Sequence, residues 1–222
     1  MKRKGINMPS SPVVVVIKGE HYKDSEEVYG KYMEGSVPLL KKYHVGIPAI
    51  GNDFLTKDYL NAAWPVNIVL SFPNEDDLDG FFLDPDYLYI KEAYRDKAYK
   101  TIKISAFQAN SPLNEKKECV MISQSQLSKG SDEPLKEYLS GAKKIFEDYD
   151  VSVLASGSGI EKPYTTESWD VNTIVSYSNV SEADRFMNDP RYIELSKTRS
   201  LAYEKHEMTM FNTRAPRVDT DA

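Results

Sequence analysis

One stretch of this chain is written twice, and that repeat limits the possible folds more than any other feature. The segment 64–95, WPVNIVLSFPNEDDLDGFFLDPDYLYIKEAYR, returns at 169–199 as WDVNTIVSYSNVSEADRFMNDPRYIELSKTR. The offset is 169 − 64 = 105 residues, and ten of the 24 positions from Trp64 to Tyr87 are identical to their counterparts. Chance would give roughly one or two identities. The sequence therefore predicts one module present in two copies.

The polar stretch 110–117, NSPLNEKK, separates the two copies. We predict a first unit over residues 12–109, a linker over 110–117 and a second unit over 118–214, with polar tails at both ends. A period of this length is too long for a solenoid and suits a duplicated domain. These ranges are called unit 1 and unit 2 below.

Each unit shows the order β-α-β-β-α-β. The β-branched run at 13–17 is typical of a strand covered on both faces. Asp24 or Ser25 is predicted to cap the helix after it, and Asp24 and Glu27 have capping-box spacing. Pro38 predicts a kink or a split within this helix. Asp84 and Pro85 have the residue types of a helix cap and a first helical position, so they predict a broken second helix. This order predicts a ferredoxin-like α+β unit with a four-stranded antiparallel sheet.

Both helices of such a unit cover the same face of its sheet, yet the strands are apolar on both faces. The uncovered faces need a partner, and the economical partner is the other unit. We therefore predict two sheets packed face to face as an intrachain pseudo-dimeric barrel. In unit 2, residues 156–168 are rich in Gly, Ser and Thr, which predicts a hairpin with a long mobile loop.

Composition excludes several classes of function. The net charge of −6 argues against a nucleic-acid partner, which requires a basic face. No apolar run approaches the ~20 residues of a membrane span, and the run at 13–17 is too short for a secretory signal. The only cysteine, Cys119, is predicted to be a small buried side chain. These features fit a cytoplasmic protein without a membrane partner, acting as a monomer or a homodimer.

The repeated motif resembles the dimeric α+β barrel superfamily and, within it, the domain of unknown function 1330 family. In unit 1 the resemblance is carried by Trp64-Pro65, Phe72-Pro73 and 81–87, FFLDPDY. In unit 2 it is carried by Trp169, 188–192 (NDPRY) and Arg199. The resemblance covers nearly the whole chain and implies the barrel fold.

One departure from the family pattern concerns an arginine that usually lies nine residues after the proline. Unit 2 keeps this spacing from Pro190 to Arg199, whereas unit 1 has Arg95 one residue later. This difference predicts that Arg95 points elsewhere. For function, the resemblance implies a small-molecule protein, because the superfamily includes cofactor-free monooxygenases, isomerases, cyclases, haem-degrading enzymes and members without known activity.

Histidines and tyrosines mark unit 1 as the better candidate for catalysis. Tyr32 of unit 1 and Tyr138 of unit 2 lie on the predicted sheet-facing stripes of the first helices, where a phenol can donate to a ligand or pack in the core. Unit 1 also has His21 and His44, which lack histidine counterparts in unit 2. We expect His44, Tyr32 and His21 to be the catalytic candidates. The structural alternative for His44 is a cation favoured by a helix C-terminus.

Six further side chains are candidates for ligand binding, each with a structural alternative. Trp64 and Trp169 can form pocket walls or cover the end of the barrel. Asn67 and Asn172 can orient a ligand or form structural hydrogen bonds between the sheets. Arg95 and Arg199 can anchor an acid or complement a helix dipole.

Recognisable cofactor and metal motifs are missing from the sequence. It contains no Gly-rich phosphate loop, nucleophile elbow or HExxH pattern, so we predict no metal and no cofactor. The first functional hypothesis is a cofactor-independent oxygenase, isomerase or cyclase acting on an apolar or aromatic substrate. The second is a non-catalytic binding or interaction protein of the same fold. Haem binding or degradation is a third.

Overall fold

The computed structural model describes residues 11–52 and 54–214, and the predicted terminal tails, with the basic cluster Lys2-Arg3-Lys4, lie outside these residues. The strands are β1 Val13–His21, β2 Gly46–Gly51, β3 Val66–Phe72, β4 Tyr99–Ala109, β5 Cys119–Leu127, β6 Val151–Ile160, β7 Val171–Tyr177 and β8 Tyr203–Asn212. The helices are α1 Glu26–Lys42, α2 Glu75–Leu83, α3 Pro85–Ile90, α4 Asp96–Ala98, α5 Asp132–Phe146, α6 Val180–Met187 and α7 Pro190–Ala202, with a π-helical turn at Lys91–Arg95.

The eight strands form one antiparallel sheet in the order β2-β3-β1-β4-β6-β7-β5-β8. Pairing of β4 with β6, from Ala106↔Ile160 to Ala109↔Gly157, joins the two halves. The second junction between the halves contains an isolated antiparallel β-bridge between Phe54 and Phe211. There the Arg214 amide also donates a hydrogen bond to the Ile50 carbonyl at 2.9 Å. The predicted α+β barrel is therefore confirmed.

Alternate residues of each strand enter two different cores. Val13, Val15 and Ile17 of β1 pack beneath the helices, while Val14 and Val16 point into the barrel. The barrel interior combines apolar side chains of both halves: Val14, Val16, Ala49, Val69, Phe107, Val120, Ile122, Leu154, Ala155, Ile174 and Phe211. The two-sided apolar character of the strands is thus explained by a packed barrel core.

The broken second helices are capped as predicted. The Asp84 side chain accepts a hydrogen bond from the Asp86 amide, and Asp189 accepts one from the Arg191 amide. Each aspartate also accepts a tyrosine hydroxyl from the end of the preceding long helix, Tyr43 or Tyr149, at 2.7 Å. These contacts attach the first helix of each unit to the second.

The start of α1 agrees with one of its two predicted caps but lacks the predicted capping box. Its N-cap residue is Ser25, whose hydroxyl donates to the Tyr22 carbonyl, and Asp24 has φ +62°, so the expected capping box is absent. Pro38 lies inside a continuous helix, so the predicted split does not occur.

Each half also extends an arm onto the helices of the other half; arm 1 is residues 54–62 and arm 2 is residues 161–168. In arm 2 the Tyr164 ring stacks on Phe82, with centroids 4.3 Å apart and planes within 6°, and the Tyr164 hydroxyl donates to Asp79 at 2.6 Å. In arm 1 the Tyr59 hydroxyl donates to Asp184 at 2.7 Å.

The predicted mobile loop at 156–168 is therefore wrong in part. Strand β6 continues to Ile160, and the residues that follow it make specific contacts with unit 1. Lys162 pairs with Asp79 at 2.8 Å, as Lys57 of arm 1 pairs with Asp184 at 2.7 Å. Both contacts repeat at the sequence offset, since 162 − 57 and 184 − 79 both equal 105.

Candidate functional site

An apolar cavity lies between the helices and the sheet of unit 1, and its volume is about 50 Å³. It is bounded by side chains of α1, the four strands of unit 1 and the broken second helix. The apolar lining includes Ile17, Met33, Leu40, Ile47, Ile50, Ile68, Leu70, Phe81, Phe82 and Ile102. The polar lining consists of Tyr32, Ser36, Tyr87, Arg95 and Tyr99. Two of the ten predicted site residues, Tyr32 and Arg95, therefore meet at this cavity.

Arg95 brings a buried positive charge to the cavity wall. Its side chain is 8 % exposed; its Nη1 donates to the Tyr87 hydroxyl at 2.7 Å, and its Nε and Nη2 donate to one oxygen of Asp96 at 3.1 and 3.0 Å. Burial raises the pKa of Tyr87 and, to a smaller net extent, of Tyr32, although the nearby Arg95 charge opposes both shifts. Both phenols are therefore neutral hydrogen-bond donors at neutral pH.

The prediction that Arg95 points elsewhere is wrong, and the π-helical turn explains why. Residues 91–95 form one wider turn, which absorbs the extra residue between Pro85 and Arg95. Arg199 of unit 2 donates to the Tyr192 hydroxyl at 3.1 Å from a regular α-helix. The two arginines thus make the same contact from helices of different length.

A wider cleft of about 620 Å³ lies next to the cavity. Met33 and Ile50 line both spaces, so the two are adjacent. The cleft is further bounded by His21, Tyr22, Ser25, Glu26, Tyr29, Gly30, Glu34, Val37, Asn52 and Arg214. Its volume lies within the roughly 300–1,000 Å³ of ordinary ligand pockets.

His21 stands at the junction of the cleft and the cavity. Its ring centroid is 4.4 Å from that of Tyr99, which lines the cavity, and 4.3 Å from that of Tyr29, which lines the cleft. Its Nε2 is buried and has no hydrogen-bond partner among the described residues. Burial lowers the pKa of His21, and the Glu26 charge only partly opposes this. The imidazole is therefore neutral at neutral pH.

His44 lies apart from this group. It is an exposed residue with φ +52° that ends α1, and it lines neither the cavity nor the cleft. Its left-handed backbone conformation gives it a role in the turn, since the Val45 amide beside it donates to the Leu40 carbonyl at 2.8 Å.

Trp64 and Trp169 lie instead at the polar end of the barrel, which is formed around Lys18. Lys18 is buried, with 1 % of its side chain exposed, and it pairs with Glu207 and, at 3.3 Å, with Glu167. The Trp64 indole donates to Glu207 at 3.1 Å, and the Trp169 indole donates to Glu167 at 3.4 Å. This location agrees with the structural alternative, in which the tryptophans cover the end of the barrel.

Asn67 and Asn172 point into the same end of the barrel. Each donates to the carbonyl of its own tryptophan, Trp64 at 2.6 Å and Trp169 at 3.1 Å. Gln124 donates to Asn172 Oδ1 and to Ser105 Oγ of the other half, both at 2.8 Å. Among the described residues, the hydrogen bonds of both asparagines stay within their own half, and the contact between the halves that was expected of them is made instead by Gln124 to Ser105.

Tyr138, the unit 2 counterpart of Tyr32, lies with its hydroxyl 3.3 Å from that of Tyr192. This part of unit 2 also contains His206 and Ser125, whose side chains are 2.7 Å apart. Neither residue was selected from the sequence. The sequence could have indicated His206, because side chains alternate between the two faces of a strand. His206 therefore falls on the same face of β8 as the buried Met208 and Met210.

The comparisons with known proteins agree with this fold. Residues 121–212 match the family model described as Domain of unknown function (DUF1330). The predicted resemblance to this family is confirmed. No curated protein matches the sequence.

Solved structures of low sequence identity share the barrel. A mutant chlorite dismutase from Candidatus Nitrospira defluvii in complex with cyanide has a TM-score of 0.62 and 7 % identity, covering 94 % of this chain and 92 % of that chain. An anthrone oxidase-like protein has a TM-score of 0.61 and 9 % identity over 92 % of each chain. A novel heme-binding protein from Thermus thermophilus has a TM-score of 0.54 and 10 % identity, covering 93 % of this chain and 92 % of that one. These likenesses show the fold alone.

Two kinds of feature are absent from residues 11–52 and 54–214. No group of three or more His, Cys, Asp and Glu side chains in these ranges is arranged to hold a metal ion. No helix in the same ranges combines the length and the apolar character needed to cross a membrane.

Proposed function

We propose that unit 1 binds a small apolar or aromatic molecule in the cleft and cavity and acts on it without a cofactor, by removing a proton. The observation that carries this proposal is the unpartnered, buried Nε2 of His21 at the edge of an apolar cavity that also presents Arg95 and Tyr32. An oxygenase, an isomerase and a cyclase of the cofactor-independent kind can all begin with this proton transfer.

His21 has the properties of a general base. A neutral imidazole has one lone pair, and the nitrogen that carries it depends on the tautomer. Because burial lowers its pKa, His21 is unprotonated at neutral pH and can accept a proton from a phenol or from a carbon next to a carbonyl. The substrate oxygen gains negative charge in this step.

Arg95 and the two tyrosines are suited to stabilise that charge. The guanidinium is buried, and in a water-poor site such a donor stabilises an oxyanion more strongly than it does in water. Tyr32 lies beside the Tyr87 hydroxyl at the same wall. A phenolate or enolate oxygen in the cavity would therefore accept a hydrogen bond from the Tyr32 hydroxyl. Tyr32 lies beside Tyr87, whose hydroxyl is held in place by Arg95.

Haem fits this site poorly. The residues that line the cavity include no histidine, and its volume is about 50 Å³, whereas an engineered protein cavity that binds benzene measures about 150 Å³. In the cleft, the imidazole of His21 is flanked by the rings of Tyr29 and Tyr99, which keep a macrocycle away from Nε2. A single hydroxyl or acidic C–H is small enough to reach it.

The small cavity volume is also the observation that favours the second hypothesis, a non-catalytic binding protein. A substrate larger than a few atoms must occupy the cleft and displace side chains such as Met33 to enter the cavity. If the cavity stays closed, unit 1 binds ligands only in the cleft and has no reaction to perform.

The first experiment is native mass spectrometry of the purified protein, followed by thermal-shift assays with aromatic acids, phenols, quinones and haem. A retained or stabilising phenol supports the proposal. His21→Leu introduces the residue that unit 2 has at this register position, Leu127. We expect it to abolish turnover or proton exchange of the ligand and to leave binding within a few-fold.

The matched pair Tyr32→Phe and Tyr138→Phe then separates the units. Both remove a phenol hydroxyl from equivalent helices, but only Tyr32 lines the cavity. Loss of ligand binding in Tyr32→Phe alone supports the unit 1 site. Equal effects of both variants, or the absence of any ligand from the whole panel, would refute it.

A further inference from the structure

Unit 2 contains a polar cluster where unit 1 has its apolar cavity. His206 of β8 lies opposite Ser125 of β5 in the strand register, and Ser125 Oγ is 2.7 Å from His206 Nδ1. The ring of Tyr203 stacks on the imidazole at 5.4 Å, with planes within 15°. His206 Nε2 is buried and has no hydrogen-bond partner among the described residues. The corresponding positions of unit 1 are the non-polar residues Ile102 and Gly19.

Arg199 stands on the helix side of the same cluster. Its Nη1 donates to the Tyr192 hydroxyl at 3.1 Å and touches the Met208 sulfur at 3.7 Å. Met208 and His206 lie two residues apart on one face of β8, which separates them by roughly 7 Å. The guanidinium and the imidazole therefore lie in the same helix–sheet layer, and the Arg199 charge acts on His206.

Arg199 and its unit 1 counterpart, Arg95, differ in whether a carboxylate balances the charge of the guanidinium. Arg95 is paired with Asp96, whereas the residue after Arg199 is Ser200. Within the described part of the chain, no carboxylate lies at ion-pair distance from Arg199. Burial and, secondly, the Arg199 charge lower the pKa of His206 to about 4. The cluster thus holds one uncompensated cation and a neutral imidazole with an unused nitrogen.

We propose that this layer of unit 2 is a second binding site, which takes a small carboxylate between Arg199 and His206. A planar carboxylate matches the N–H groups of a guanidinium. Its charge would offset that of Arg199, so that His206 can gain a proton and donate from Nε2. Ser125 Oγ would then accept from Nδ1.

Three tyrosines also face the cluster. These are Tyr138 of α5, Tyr192 of α7 and Tyr203 of β8. Burial raises the pKa of Tyr138 well above its ordinary value and that of Tyr203 to about 12. Any proton taken up when the carboxylate binds should therefore go to His206.

The test follows the imidazole NMR signals, since the chain has three histidines and each can be assigned by substitution. Difluoroacetate is the probe because it stays ionised throughout the titration, and chloride at equal ionic strength is the reference. We expect difluoroacetate to raise the pKa of His206 by about one unit or more, which corresponds to a roughly ten-fold difference in affinity for the two protonation states. His21 is the internal control, and its pKa should be the same in difluoroacetate and in chloride.

Arg199→Met and His206→Ile complete the test, and urea midpoints verify that both variants fold. His206→Ile introduces the residue that unit 1 has at this position, Ile102. The ¹⁹F NMR line of difluoroacetate should broaden with the wild-type protein, because the probe binds, and should stay sharp with this variant. Arg199→Met should abolish the shift at His206. A His206 pKa that is the same in difluoroacetate and chloride, or a shift that persists in Arg199→Met, would overturn the proposal. Neither result bears on the unit 1 site.

Discussion

The Arg95 guanidinium and the Tyr87 hydroxyl are joined by a 2.7 Å hydrogen bond across eight residues, whereas Arg199 and Tyr192 make the same bond across seven. The additional residue of unit 1 is absorbed in the π-helical turn at 91–95. After each arginine the next strand begins at the same distance, at Tyr99 and at Tyr203. The arginine–tyrosine contact is therefore retained in both halves despite a difference in chain length.

Deletion of Ala93 should convert the π-helical turn into a regular α-helix and keep the Arg95–Tyr87 contact. Because the spacing then equals that of unit 2, we expect the free energy of unfolding to change by no more than about 1 kcal/mol, a change typical of a mild substitution. Urea denaturation measures this. Deletion of Lys197 in α7 is the control. That helix is regular and contains no additional residue, so this deletion should reduce the free energy of unfolding several-fold more than the deletion of Ala93. Equal losses for both deletions would contradict the interpretation.

Lys18→Gln should be better tolerated than Lys18→Met. Lys18 opposes Asn67 in the strand register as Gln124 opposes Asn172, and the buried Asn67 Oδ1 and Thr209 Oγ1 have no hydrogen-bond partner among the described residues. A glutamine at position 18 can donate to Asn67, whereas methionine leaves that oxygen unsatisfied. We expect Lys18→Met to be less stable than Lys18→Gln by roughly 1–3 kcal/mol in urea unfolding. A more stable methionine variant would refute this account.

Asp84→Asn should destabilise the protein at neutral pH and lose that effect in acid. Hydrogen bonds from Lys42 and Tyr43 lower the pKa of Asp84 from 3.8 to about 2. The ionised carboxylate therefore contributes stability above about pH 3.8, and the contribution disappears as the pH falls through about 2. Asparagine retains the helix cap. Because Lys42 is 59 % exposed, we expect a loss of only about 0.5–1 kcal/mol.

Urea midpoints of wild type and Asp84→Asn at pH 7 and pH 2 check this prediction. The difference between the two proteins should be present at pH 7 and largely lost at pH 2. Asp189→Asn in unit 2 is the matched variant, because Tyr149 and Arg191 lower the pKa of Asp189 in the same way. A difference that grows in acid would have the wrong sign.

A double-mutant cycle should detect the contact between arm 2 and unit 1. The Tyr164 hydroxyl donates to Asp79, and each group belongs to a different half of the chain. We expect Tyr164→Phe and Asp79→Asn to show a coupling of about 1 kcal/mol, typical of an intramolecular hydrogen bond, because the Asp79 side chain is 40 % exposed. Tyr59→Phe and Asp184→Asn test the equivalent contact. Tyr164→Phe with Asp184→Asn should be additive, because these residues do not touch.

Local sequence patterns were sufficient to predict the elements and the barrel. The alternation at 66–72 and the repeated Asp-Pro pairs each depend on neighbours a few residues away, and the structure shows both as expected. The direction of Arg95 was predicted wrongly because spacing was counted as if every helical turn were α-helical.

Contacts between the halves were the part that the sequence did not reveal. Lys57 and Tyr59 of arm 1 recur in arm 2 as Lys162 and Tyr164, and this repeat is visible in the sequence at the offset of 105. Their hydrogen-bond acceptors, however, lie in the other half, so the contacts depend on how the barrel closes. His206 was not chosen as a site residue, although it lacks a histidine counterpart just as His21 and His44 do. With Ser125 it forms a polar pair where unit 1 has Ile102 and Gly19.

The exchanged arms also determine when the barrel can be completed during synthesis. Lys57 is separated from its acceptor Asp184 by 127 residues, so arm 1 leaves the ribosome long before α6 exists. Until then the first half has an unpaired strand edge and an undocked arm, which are features that favour aggregation. We therefore expect the nascent first half to require protection, and the final cooperative step of folding to be the mutual docking of both arms.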